Sequence, residues 1–149
     1  MKVVSESTWT FQMIIFFMLI FACFLTLVLS YNKAYTIKNR MLTIMEKYEG
    51  ATDESIKIIN GYVYEKGYST TGKCSINWYG AIDLEGNVEL SDGNKSYYYC
   101  FKENKDEKGL IYYNIQVFYR FNLPVIGNIA IYKIDGVTKS FIGADNRIK

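Results

Sequence analysis

Residues 11–29, "FQMIIFFMLIFACFLTLVL", form an uncharged apolar run of 19 residues. Wound into a helix at about 1.5 Å per residue, the run is close to the roughly 30 Å hydrocarbon thickness of a bilayer. Phe11, Leu19 and Leu29 mark the start, middle and end of this candidate span. Trp9 before it, with Tyr31 and Tyr35 after it, stands where interfacial aromatics anchor a spanning helix. A cleaved signal peptide is the rival reading, because Lys2 supplies a positive start and Val28, Leu29 and Ser30 resemble a cleavage site. The run exceeds the usual signal core of about 7–15 residues, so a retained anchor is the reading adopted.

No Gly or Pro separates the run from the charged sequence that follows. Ala34, Ile37, Met41, Ile44 and Tyr48 recur at steps of three and four, the pattern of an amphipathic helix. Carried backward, the same pattern meets Ser30, Leu27, Cys23 and Ile20, which makes one seam at heptad spacing from the membrane into water. A continuous helix from about Trp9 to Glu49 would be roughly 60 Å long. Its seam motivates the expectation that the helix assembles with other helices. Gly50 is expected as its left-handed cap, and Thr52 or Asp53 as the N-cap of a second helix carrying Ile56, Ile59 and Val63. Gly61 weakens that second helix by about 1 kcal/mol relative to Ala. The expected organisation is a short tail (1–8), a transmembrane helix (9–31), a helical extension (32–50) and an α+β domain (51–149).

From Cys74 onward the period becomes alternating, rich in β-branched and aromatic residues. "CSINWYGAIDL" predicts a strand with Ile76, Trp78, Gly80, Ile82 and Leu84 on one side. "EGNVEL" turns into a short partner, and "SDGNKSYYYCF" turns at Asp92 and Gly93 into the next strand. "LIYYNIQVFYRFN" places Ile111, Tyr113, Ile115, Val117, Tyr119 and Phe121 on one face. Pro124 and Gly127 predict a bend, and "NIAIYKIDGVTKSFI" a hairpin about Asp135 and Gly136. Four to six antiparallel strands with the striped half of the first helix on their apolar face are expected, an α+β fold.

The chain lacks His entirely, which removes the commonest general base and metal ligand. Cys74 and Cys100 have no second Cys nearby, so zinc spacing is absent, and no phosphate-loop pattern occurs. No enzyme activity and no cofactor is expected. The net charge of +2 is made of scattered Lys and Glu, which excludes the basic face of a nucleic-acid binder. Tyrosines cluster at Tyr97, Tyr98 and Tyr99 and at Tyr112 and Tyr113. In a strand each cluster must present at least one ring on each face. One face serves the core; on the other, Tyr98 and Tyr112 are candidates for stacking on a ligand, or else simply cover the sheet's outer surface.

Orientation is contested. Lys33, Lys38 and Arg40 follow the span while Lys2 precedes it, which by the positive-inside rule puts the C-terminal domain in the cytoplasm. Cys74 and Cys100 form an even pair in that domain: either a disulfide, which suits an extracytoplasmic compartment, or two buried thiols.

The hydrophobic N-terminal run, "IMEKYEG", "TDESIKIINGYVYEKGY" and the ending "FNLPVIGNIAIYKIDGVTKSF" together resemble the type IV pilin-like proteins, specifically their TadE-like pseudopilin branch. The resemblance implies a cytoplasmic N-terminus, an external domain and a role in a tight-adherence pilus or related secretion machine. Implied partners are the lipid bilayer and other pilin-like subunits or secretion-system membrane proteins. Classical prepilins carry a Gly before the cleavage point and a Glu five residues into the mature chain. The lead "MKVVSESTW" lacks that Gly and has Glu6, either the counterpart of the subunit-pairing carboxylate or an ordinary interfacial charge.

Overall fold

The computed structural model describes residues 2–123 and 127–148. Two helices come first, α1 (Lys2–Lys47) and α2 (Asp53–Glu65). Seven strands follow: β1 (Gly72–Lys73), β2 (Tyr79–Ala81), β3 (Val88–Leu90), β4 (Ser96–Tyr97), β5 (Tyr99–Lys105), β6 (Ile111–Leu123) and β7 (Gly127–Val137). The α+β class and the unbroken first helix are as the sequence predicts. The helix begins at Lys2, so residues 2–8, expected as a separate tail, are its first turns.

Both caps have identifiable chemistry. At the end of α1 the left-handed residue is Glu49 (φ 53°), one position before the expected Gly50. The Gly50 N–H then reaches back to Met45 O at 2.9 Å, the long bond of a Schellman-type ending. Gly50 is itself at φ 136°, pressed so closely to Tyr113 that an added Cβ would lie 3.1 Å from its hydroxyl. Thr52 caps α2: its side chain accepts from Ser55 N, and Ser55 Oγ accepts from Thr52 N, a reciprocal pair that satisfies two orphan amides.

Five strands pair antiparallel in the order β3-β2-β5-β6-β7, and β1 pairs with β4 in a second small ladder. On one face of the main sheet, Ala34, Ile37, Met41, Ile44 and Met45 of α1 meet Phe101, Tyr113, Ile115 and Val117. Ile56, Ile59 and Val63 of α2 complete this core. The other face carries a smaller cluster of Cys74, Tyr97, Cys100 and Phe118, with Trp78 packed against it. Cys74 and Cys100 are disulfide-bonded there. Gly80 faces the same cluster, where a Cβ would fall 2.4 Å from the Tyr97 ring.

Strand β7 runs along α1 in the same direction. Tyr132 stacks on Tyr119, which meets Tyr31; Gly136 lies against Lys38 and Leu42; and the Lys139 amide donates to Glu46 Oε1. The end of β7 nearest the apolar half of α1 is therefore its beginning.

Two sequence expectations are corrected. "CSINWYGAIDL" is not one strand: Asn77 takes φ 64°, the chain turns there, and only Tyr79–Ala81 pairs. Ile76 and Ile82, expected on one side of that strand, are exposed. The hairpin at Asp135 and Gly136 does not form either, because β7 passes straight through both residues, paired to β6 from Leu123↔Gly127 to Asn114↔Val137. Gly136 has a different purpose: a Cβ there would sit 2.9 Å from Lys38 Cδ and 3.3 Å from Leu42 Cδ1, so the missing side chain lets helix and sheet approach. The predicted bend falls partly on Pro124, outside the described residues; Gly127, at φ 82°, follows it.

Candidate functional site

Helix α1 divides into two halves with different surroundings. Phe11, Leu19 and Leu29 of the candidate span are all exposed, as is Ile20 at 49 %. Along the seam, Cys23, Leu27 and Ser30 are half-buried, whereas Ala34, Ile37, Met41 and Ile44 are buried and Tyr48 half-buried. The seam is thus one continuous stripe whose aqueous half is filled by this chain's own sheet. Its apolar half, from Ile20 to Leu27, has no such cover. Among the described residues this is the one helix long and apolar enough to cross a membrane, and it lies near the N-terminus.

The boundary between the halves is built of tyrosines. Tyr31 stacks on Tyr35 at 6.0 Å and meets Tyr119 edge-on at 5.7 Å, and Tyr119 stacks on Tyr132 at 5.5 Å. A row of four rings so crosses from α1 over β6 to β7, apolar in body and polar at the tip, as side chains at a membrane surface are. The expected belt residues Tyr31 and Tyr35 are part of it. Tyr119 and Tyr132 could not be assigned to this row from the sequence, since only the length and register of β6 and β7 bring them to this level.

The three cations that follow the span are each engaged. Lys33 Nζ donates to Gly67 O at 2.8 Å, Lys38 Nζ lies 4.3 Å from the Tyr35 ring centre, and the Arg40 guanidinium 5.8 Å from that of Tyr62. Beside Lys33, a cavity of about 260 Å³ opens between α1, the loop after α2 and β6. Ser30, Lys33, Ser69, Thr70 and Arg120 contribute its polar groups, and no acidic residue lines it.

Tyr98 and Tyr112 are not brought together. Both flank β5–β6, but Tyr98 packs on the principal core before β5, while Tyr112 pairs with Asn104 near its far end. Six residues of strand separate the two levels, about 20 Å. Three other tyrosine hydroxyls of the strands serve internal bonds. Tyr99 donates to Asn60 Oδ1 (2.6 Å), Tyr97 to Glu89 Oε1 (2.9 Å) and Tyr113 to Glu103 Oε2 (2.8 Å). Tyr68 inserts beside β6 just before β5 begins: its hydroxyl accepts from Phe118 N at 3.0 Å and donates to Phe118 O. Burial pushes the phenols of Tyr68, Tyr99 and Tyr113 well above their ordinary value.

Glu6 lies in the first turns of α1, with its side chain outside the described part. Among the described residues no group of three His, Cys, Asp or Glu converges as a metal site. Compared with known proteins, the chain matches no family model, no curated sequence and no solved structure.

Proposed function

We propose that the chain is a single-pass, membrane-anchored structural subunit of the pilin-like kind, as in a tight-adherence pilus or related secretion machine. The observation that carries the reading is the division of α1: one half is buried in its own sheet, the other is long, apolar and uncovered. In such a subunit the exposed half spans the bilayer and meets other helices, and the domain stands outside the cell on a rigid stalk. The Cys74–Cys100 bond supports an oxidising compartment for the domain. Engagement of Lys33 by Gly67 and of Arg40 by Tyr62, both in the domain, weakens the opposing argument from positive charge, since each of these cations has a role other than orienting the span. No catalytic step and no cofactor belongs to this proposal.

The second reading, a monomeric anchored binding domain, is favoured by one observation: the seam from Ala34 to Ile44 is already filled and offers no partner helix a place. Cys23 separates the two. It is a free cysteine in the middle of the uncovered half-seam. Mild oxidation of membranes carrying the native chain should yield a Cys23-linked dimer that Cys23→Ser abolishes. A chain that remains monomeric under conditions that oxidise a control transmembrane dimer refutes assembly through this helix and leaves the monomeric anchor. Orientation is tested by a membrane-impermeant maleimide on intact cells. Labelling of the domain cysteines only after reduction is expected; labelling only after permeabilisation overturns the external domain.

A further inference from the structure

We propose that the far end of the β6–β7 ribbon is a second membrane-contacting element, which enters the headgroup layer and the uppermost acyl chains beside α1. The proposal rests on the anchored reading. Its first support is a depth scale internal to the chain. Tyr132 shares the level of Tyr31 through Tyr119, and the Lys139 amide meets Glu46. The two intervals agree: Tyr132 to Lys139 is about 23 Å of extended chain at roughly 3.3 Å per residue, and Tyr31 to Glu46 about 22 Å of helix at roughly 1.5 Å per residue. Strand and helix therefore run side by side. Continued the other way, β6 from Tyr119 to Leu123 and β7 back from Gly127 extend about 13 Å past the tyrosine row, to the level of Cys23. Exposure along α1 agrees with this reach: Ser30, Leu27 and Cys23 on the seam are half-buried, while Ile20, one turn further into the run, is 49 % exposed. The ribbon flanks the seam that far without filling it.

The second support is composition. Residues 121–132, "FNLPVIGNIAIY", are uncharged, and Arg120 and Lys133 bound them. An apolar run of about 10–14 residues is too short to span a bilayer and suits an interfacial segment. At its boundary the register pairs Tyr119 with Tyr132, Arg120 with Ile131 and Phe118 with Lys133, so two tyrosines and two cations share one level. Amphipathic rings and long cationic side chains take that level at a membrane surface. Arg120 and Lys133 stand on the Phe118 face of the sheet, away from α1, and among the described residues neither is in an ion pair. Ile131 is on the same face and 50 % exposed. The strand edges limit the depth. Phe118 turns its N–H and C=O to Tyr68, so by alternation those of Arg120 point off the same edge, where β5 no longer pairs. Open edges are excluded from deep hydrocarbon. The headgroup layer takes up roughly 5–8 Å of the 13 Å, which leaves only the last few ångströms of the ribbon among acyl chains.

The test uses the full chain in phosphatidylcholine nanodiscs, one copy per disc, with a nitrobenzoxadiazole probe on a single added cysteine in a Cys23→Ser background and the Cys74–Cys100 bond intact. Leu123→Cys reports the ribbon end, Leu19→Cys the span, and Lys108→Cys the loop between β5 and β6 at the opposite end of the sheet. Quenching is read with lipids that carry a nitroxide high or low on the acyl chain, and near-UV circular dichroism confirms that each variant is folded. The shallow nitroxide should quench the probe at 123 at least twofold more than the probe at 108, and more than the deep nitroxide does. The probe at 19 should be quenched best by the deep one. A probe at 123 that neither lipid quenches, beside a quenched probe at 19, overturns the ribbon contact and leaves the anchor intact; if aqueous iodide also fails to reach it, the ribbon end is covered by protein instead. Strongest quenching at 123 by the deep nitroxide overturns the interfacial depth. A probe at 19 that no lipid quenches refutes the anchor itself, and the ribbon contact with it.

Discussion

Ile37→Ala tests the central structural assertion, that the aqueous half of the α1 seam is a core element of its own domain. Ile37 is 1 % exposed, wedged between α1 and the main sheet. The substitution removes three carbon groups, worth about 2.4 kcal/mol in transfer at roughly 0.8 kcal/mol each. A cavity that only partly collapses adds to this, which brings the expected loss to about 3 kcal/mol. For a domain of this size the loss lowers the unfolding midpoint by about 12 °C, taking about 4 °C per kcal/mol. The assay is thermal unfolding of the full chain in detergent micelles, followed by near-UV circular dichroism of the tyrosine-rich sheet. Ile20→Ala, on the same seam but 49 % exposed, is the control and should leave the midpoint within a degree or two. A shift of under about 3 °C for Ile37→Ala, or a loss that grows on dilution, would mean that another subunit fills the face and would refute the assignment.

Three other outcomes are expected. Gly61→Ala, at a helical position with nothing within 4 Å of the new methyl group, should stabilise α2 by about 0.5–1 kcal/mol, read as a higher urea midpoint at unchanged slope. Reduction of Cys74–Cys100, which closes a loop with sequence separation 26, should cost about 3.5 kcal/mol on the chain-entropy relation, measured by the same melts with and without reductant. In alkali, Tyr68, Tyr99 and Tyr113 have folded pKa values above those of the unfolded chain, so their contribution is complete below about pH 10 and is lost as pH rises beyond it. Phenolate absorbance should therefore show a fraction of the 14 tyrosines ionising only with unfolding, and a smooth titration of all of them in the folded chain would contradict their burial.

What was legible in the sequence is what a local period can carry. The 3.6-residue stripe of α1 identified Ala34, Ile37, Met41 and Ile44 as buried, and the alternation of β6 identified Ile111, Tyr113, Ile115 and Val117. The cap of α2 was readable to within one residue, as Thr52 or Asp53, because a cap acts on an amide only three residues away; it is Thr52. The striped half of α1 was expected on the apolar face of the sheet, and it packs there. Which strands cover it was not readable, because β5 and β6 come far later in the chain. The cavity beside Lys33 escaped for the same reason, since Ser30, Ser69 and Arg120 are distant in sequence and converge only through the fold.

The Asp-Gly pair at Asp135 and Gly136 shows how a strong local signal is overruled. A two-residue turn there would forfeit the pairing of β6 residues 114–121 with the strand from Ala130 to Val137. It would also uncover a sheet face on which α1 lies. A turn gains a few backbone bonds near the sequence; the straight strand gains a long ladder and the contact of Gly136 with Lys38 and Leu42. Glycine serves both conformations, because it permits a turn's positive φ and equally permits a close helix. Only the presence of α1, set above the sheet by an uninterrupted helix from the apolar run, decides between them. Gly136→Val separates the two uses: a turn residue with positive φ would tolerate it poorly at the backbone, whereas here the strand accepts valine and the clash falls on Lys38 and Leu42. Shortening Leu42 to Ala should therefore recover part of the stability that Gly136→Val loses, and a double variant no better than the sum of the two single losses would refute the close-approach account.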